Sequence, residues 1–140
     1  MSTTHIRAKL RRYVAERAAD CCEYCLIHER DTFFGCQIDH IISEKHGGAT
    51  TEDNLALACL PCNVHKGSDI ASLDSNGQLT RLFNPRTDQW SEHFHLEGAV
   101  IRATTSIGEV TLAVLKLNDL ERQMEREALL SIEHYPGLKT

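Results

Sequence analysis

The run QIDHIISEKHGG, residues 37–48, sets an acid and an imidazole side by side, Asp39 and His40. Apolar residues flank the pair, and Gly47-Gly48 closes the run. Burying a charge is costly unless it is paired or bound to a metal. A buried Asp–His pair with packing duty alone is therefore a poor use of two polar groups. On a strand, neighbouring side chains point to opposite faces, so Asp39 and His40 are expected to do different jobs.

The whole chain has 140 residues, the length of one compact domain, with 41% hydrophobic and 25% charged residues. We expect a single domain over 1–140, with a core at 20–72 and a C-terminal extension at 76–140. No apolar run approaches the roughly 20 residues of a membrane span. The opening MSTTHIRAKLRR lacks the apolar centre of a secretory leader. A soluble, cytoplasmic protein is the expectation. The net charge is −5, but it is unevenly spread. Residues 1–17 hold Arg7, Lys9, Arg11, Arg12 and Arg17 against Glu16 alone, and the acidic excess lies in the remainder.

Periodicity predicts a helix over 4–19, with Ile6, Leu10, Tyr13, Val14 and Ala18 on one side and arginines on the other. A cysteine-rich loop follows, then a strand over 36–42 and a turn-rich loop over 43–53. NLALAC, 54–59, fits strand or helix. A helix is expected from Leu60 to about Leu73, with Pro61 in its first turn, where a missing N–H costs nothing. Asn76-Gly77 and Asn84-Pro85 mark turns. The stretches 93–104 and 109–115, separated by TSIG, fit a β-hairpin. A final helix is expected over 118–132, capped by Asn118 or Asp119. Its apolar Leu117, Leu120, Met124 and Leu129 suit either core packing or a dimer contact, so monomer and homodimer both stay open.

Six cysteines occur, four of them in two CxxC units: Cys22-Glu23-Tyr24-Cys25 and Cys59-Leu60-Pro61-Cys62. Each unit places two thiolates on one side of a tight turn, and two units close a tetrahedron around Zn2+. Four sulfurs leave no open position for water, so the zinc is structural. The 33 intervening residues exceed the usual spacing of 15–20 and must form structure of their own. A redox pair is the alternative, but no thioredoxin-like βαβ pattern surrounds either unit. Cys21 competes with Cys22, whose spacing to Cys25 is the better one. Cys36 reads as a small buried residue; His28 could replace a cysteine at zinc, but four well-spaced sulfurs make that unnecessary.

The pattern DHI…GG…DNLALAC-x-x-CN-x-x-KG resembles the HNH endonuclease family, and CEYC resembles its zinc-stapled members. The resemblance covers 22–67. It implies an α+β fold: a ββα-metal (His-Me) finger with a structural four-cysteine zinc site, an N-terminal helix and a C-terminal hairpin–helix extension. It implies hydrolysis of phosphodiester bonds, leaving a 5′ phosphate and a 3′ hydroxyl. His40 would be the general base, and Asp39 and Asn63 would bind the catalytic Mg2+ or Mn2+. Asn54 would orient the loop and fix the histidine. Asn63 stands where the family carries His or Asn, and a hard oxygen set favours Mg2+ or Mn2+. Lys66 stands at the family's lysine and would contact phosphate. With a nuclease site present, Arg7, Arg11 and Arg12 become DNA-backbone contacts rather than a solvated helix face.

Double-stranded DNA is the expected partner, with restriction-type defence ranked first among settings. The rival readings are a zinc-dependent nucleic-acid-binding module without cleavage, and an RNase or toxin using the same finger. His46 and His65 read as polar surface residues. Trp90, His93 and His95 read as packing of the extension.

Overall fold

The structure is a computed structural model and describes residues 5–137. Its centre is an antiparallel pair. Strand β1 (Cys36–His40) runs beside β2 (Leu55–Cys59), with Cys36 opposite Cys59 and His40 opposite Leu55. All five residues of β2 are buried, which removes the ambiguity of LALAC. The strand alternates between two cores. Leu55 and Leu57 face Val14 and Ala18 of helix α1 (Ala8–Arg17) and its C-terminal end, while Ala56 and Ala58 face the main core around the cysteines. Large residues fill the side under the helix. Small ones let the cysteine knuckle close on the other side.

Helix α1 lies inside the expected stretch 4–19 but is shorter: residues 5–7 are not helical and it ends at Arg17, while residue 4 lies outside the described residues. Helix α2 (Leu60–Lys66) packs on both strands and completes a ββα unit. It is shorter than expected. Gly67 takes φ 51°, ψ −126°, a conformation open to glycine, and ends the helix seven residues in. The chain beyond it becomes strand β3 (Ala71–Leu73), paired with β4 (Leu79–Arg81) across the Asn76-Gly77 turn. Asp74 fastens that turn by accepting from the backbone N–H groups of Asn76 and Gln78.

The expected hairpin of the extension needs correction. Both its strands lie within the first of the two stretches: β5 (Phe94–Glu97) and β6 (Val100–Ala103), after the short helix α3 (Trp90–His93). The second stretch, expected as a strand, is helix α4 (Ser106–Val114). Thr105 caps it, its hydroxyl accepting from Gly108 N–H. The alternating Val110, Leu112 and Val114 fit either period, and the cap decided between them. The last helix, α5 (Leu120–Ser131), starts after Asp119 as expected. Asn118 instead grips Ile101, accepting from its N–H and donating to its C=O.

One core joins the cysteine knuckle, α2 and the extension. Cys22, Tyr24, Cys25, Ala58 and Cys62 pack with Phe83, Phe94, Ile101, Val110, Leu115 and Leu117. Phe83 meets Tyr24 and Phe94 edge-on, at 6.4 and 5.4 Å between ring centroids. On the final segment Leu117 is buried and Leu129 packs against the core, while Leu120 and Met124 are exposed. No described helix is long and apolar enough to cross a membrane.

Candidate active site

The sulfur atoms of Cys22, Cys25, Cys59 and Cys62 all lie within 4.8 Å of one another, and all four residues are buried. Cys25 Sγ and Cys59 Sγ are 3.6 Å apart. Four sulfurs about 2.3 Å from a tetrahedral zinc stand roughly 3.8 Å apart, so the cage fits that ion. Neighbouring thiols that donate to Cys25 push its thiol well below the ordinary value. Burial instead pushes Cys21 up to about 11, which leaves it a neutral thiol beside the cage. His28 turns Nδ1 to the Arg30 N–H of its own turn. The knuckle is braced at every step. Glu23 accepts from Leu57 N–H and pairs with Arg86, Trp90 Nε1 donates to Tyr24 C=O, and Tyr135 Oη donates to Cys25 C=O.

Asp39 and His40 do take opposite sides of β1. Asp39 points under α2 and is 4% exposed. Its Oδ2 accepts from Tyr24 Oη at 2.8 Å, and its Oδ1 from Lys66 Nζ at 3.2 Å. Burial pushes the carboxyl above its ordinary value, opposed by the Lys66 ammonium and the Tyr24 hydroxyl. Each carboxylate oxygen that takes one hydrogen bond keeps a second lone pair.

The placement of Lys66 corrects the sequence reading. Its side chain is 2% exposed, with Nζ on Asp39 Oδ1 and on His40 C=O at 3.0 Å. A phosphate on the surface is out of its reach. An unpaired buried ammonium is costly, and Asp39, 27 positions earlier, supplies its counter-charge.

Asn63 lies one helical turn before Lys66, on the same side of α2. Its Nδ2 donates to Gln37 Oε1 at 2.6 Å. Gln37 and Asp39 alternate onto one face of β1, so Asn63 and Asp39 share that face. With its amide nitrogen committed to Gln37, Asn63 keeps Oδ1 as an acceptor. The donor set on this side is one carboxylate and one amide oxygen, both hard ligands suited to Mg2+ or Mn2+.

His40 ends β1 and is 5% exposed. Its Nε2 is 2.9 Å from Thr50 Oγ1 and 3.7 Å from Glu44 Oε1. Thr50 Oγ1 is thus within hydrogen-bond distance of the ring, and the Glu44 carboxylate lies just beyond it.

The loop that carries Thr50 is held by Asn54. Asn54 Oδ1 accepts from Ile42 N–H, and its Nδ2 donates to Ile42 C=O and Ala49 C=O, all at 2.8–2.9 Å. Gly48 fits beneath this clamp because it lacks a side chain: a Cβ there would lie 1.7 Å from Ile42 O. The Gly-Gly of the opening run is thus a place where backbone meets backbone.

Arg11 and Arg12 are exposed on α1, and Arg7 is exposed at the residue just before it. Arg17, the last residue of the helix, ties it to the loop by donating to Glu52 C=O and Leu55 C=O.

Residues 22–69 match the family model of the HNH endonuclease. That match covers 48 of the 140 residues and marks the segment as similar to the HNH endonuclease family. No curated protein and no solved structure matches the chain. The family brings a nuclease-type function, metal binding and a nucleic-acid partner, and the ββα unit with its four-cysteine cage is the arrangement it implies.

The HNH segment encloses every site residue named above except Cys21, Arg86, Trp90, Tyr135 and the arginines at α1. Sequence alone gives no role to several residues at these sites, among them Tyr24, Glu44, Thr50 and Arg122. Tyr24 was visible only as a spacer inside CEYC, and Glu44 and Thr50 only as polar loop residues. Arg122 had no signal at all. It lies on α5, beyond the HNH segment, and donates Nη2 to Cys62 Sγ at 3.0 Å. An aromatic hydroxyl between two metal ligands was the one cue available for Tyr24.

Proposed function

We propose that the protein is a metal-dependent endonuclease that hydrolyses DNA phosphodiester bonds, with His40 as general base. The observation that carries this reading is the setting of His40. It ends β1 of an HNH-family ββα unit, with its ring on Thr50 Oγ1 and the Glu44 carboxylate 3.7 Å away. Imidazole, with a reference pKa of about 6.5, is the side chain suited to act as a base near neutral pH. Asn54 keeps the loop, and with it Thr50, in register with the end of β1.

Asp39 and Asn63 would hold one divalent cation, Mg2+ or Mn2+. Such an ion, when bound, polarises the scissile phosphate and stabilises the leaving oxygen. His40 takes the proton of the attacking water, and the enclosure of its ring excludes bulk solvent from the base. The four cysteines hold Zn2+ as a structural ion and fix the knuckle and α2 against the two strands. The arginines at α1 meet the DNA backbone, while the acidic remainder repels DNA elsewhere. A restriction-type role in defence suits a compact nuclease of this kind.

The test is supercoiled plasmid incubated with purified, zinc-loaded protein and Mg2+ or Mn2+. Nicked or linear product is expected, abolished by a chelator and slowed by about 10²–10⁴-fold in His40→Ala. Product that forms equally fast with His40→Ala would overturn the assignment of the base. A folded, zinc-loaded protein that cuts RNA and leaves DNA intact would overturn the substrate.

A further inference from the structure

Tyr24 sits between two cage cysteines, yet its hydroxyl serves neither of them. The residue is 1% exposed, and Oη donates to Asp39 Oδ2 at 2.8 Å. We propose that Tyr24 is a positioning residue for the divalent-metal site: it fixes the Asp39 carboxylate for metal binding and makes that site depend on the cysteine cage. This inference rests on the reading of Asp39 as a metal ligand given under Proposed function.

Three observations carry it. First, the tyrosine has little freedom. The nearby Cys22 and Cys25 belong to the four-sulfur group, its carbonyl accepts from Trp90 Nε1, and its ring meets Phe83 edge-on. A hydroxyl on so fixed a ring points one way. Second, the other partner of the same carboxylate comes from the other half of the cage. Lys66 lies on α2 four residues after Cys62, and its Nζ takes Oδ1. Asp39 is thus gripped on both oxygens by residues anchored through the two CxxC units. Third, the grip leaves the carboxylate usable. Each oxygen has a second lone pair, and the ionised form is the one that accepts both bonds. Partners of this kind orient metal ligands, and their loss typically lowers metal affinity 10–100-fold.

The chemistry needs a hydroxyl at this point and nothing larger. Phenylalanine keeps the ring and the packing but leaves Oδ2 without its donor. The lysine still holds Oδ1, so the carboxylate can pivot about that bond.

The experiment measures Mn2+ binding to the full chain, zinc-loaded, by the electron paramagnetic resonance signal of free Mn2+. Wild type, Tyr24→Phe and Asp39→Asn are compared, with zinc content and thermal midpoint recorded for each. Tyr24→Phe is expected to raise the Mn2+ dissociation constant about 10-fold or more with zinc content unchanged, and Asp39→Asn to abolish the site. A Tyr24→Phe constant within about twofold of wild type, with Asp39→Asn still unable to bind, would overturn the role of Tyr24 and leave the metal site standing. Equal binding by wild type and Asp39→Asn would overturn the metal reading of Asp39 and this inference with it.

A second measurement keeps the Tyr24 hydroxyl, should Tyr24→Phe fold poorly. With 3-fluorotyrosine at positions 13, 24 and 135, the Tyr24 fluorine resonance is expected to move as Mg2+ fills the site. The signal of exposed Tyr13 is expected to stay put. A Tyr24 resonance that ignores saturating Mg2+ would sink the proposal.

Discussion

Gly48 shows how a single missing methyl supports the site. The carbonyl of Ile42 lies where a Cβ at 48 would be, and the same carbonyl accepts from Asn54 Nδ2. Gly48→Ala must therefore displace the loop or break the clamp. Plasmid nicking by Gly48→Ala is expected to fall at least about tenfold, while the thermal midpoint drops only a few degrees. Wild-type nicking by this variant would show that the loop does not position His40. At this scale the sequence was informative where spacing is short. The CxxC units, the Asp39-His40 pair and Gly47-Gly48 each stand out within a few neighbouring positions. Lys66 misled because its fate is set by a partner 27 positions away. Nothing local distinguishes a lysine that reaches outward from one that turns in to a buried carboxylate.

Among the elements, α5 has an effect its own sequence does not announce. Arg122 sits on it, donates Nη2 to Cys62 Sγ, and anchors Nη1 on the Leu115 and Lys116 carbonyls. Four thiolates around one Zn2+ would leave two excess negative charges in a buried site. A fixed guanidinium beside them lowers that cost. Burial acts against the charged form of Arg122, yet the nearby thiolates hold its pKa above the ordinary value. Arg122→Ala is expected to lose zinc to a colorimetric chelator about 10-fold faster than wild type, with Glu125→Gln on the same helix near wild type. Equal release rates would remove α5 from the metal centre.

The same scale separates what could be read from what could not. Helix α1, strand β1 and the start of α2 follow from strong apolar patterns and a proline in a first turn. The end of α2 depended on the conformation of Gly67, and α4 on Thr105 accepting from Gly108. In both cases one cap or stop outweighed several apolar positions that fit either period.

For the whole molecule, charge is segregated rather than balanced. Exposed Arg7, Arg11 and Arg12 lie along α1 and its N-terminal end, and Arg17 ties that helix to the loop next to the strand pair. Reversal to Glu at Arg11 and Arg12 together is expected to weaken DNA binding and to flatten its salt dependence. The slope of log K against log salt should change by about 0.9 for each phosphate no longer neutralised. Unchanged affinity and slope in a filter-binding or anisotropy titration would exclude α1 from the interface. The net charge of −5 hides this face, and only the distribution along the chain reveals it.

The hydroxyl of Tyr135 donates to the carbonyl of Cys25, across 110 positions of chain. A ribosome adds about 5–20 residues each second, so roughly 5–20 s separate the synthesis of these two partners. During that interval the cysteine-bearing part is already made, while the residue that closes over its knuckle does not yet exist. Birth order therefore sets this brace on the cysteine knuckle well after the knuckle itself has been made.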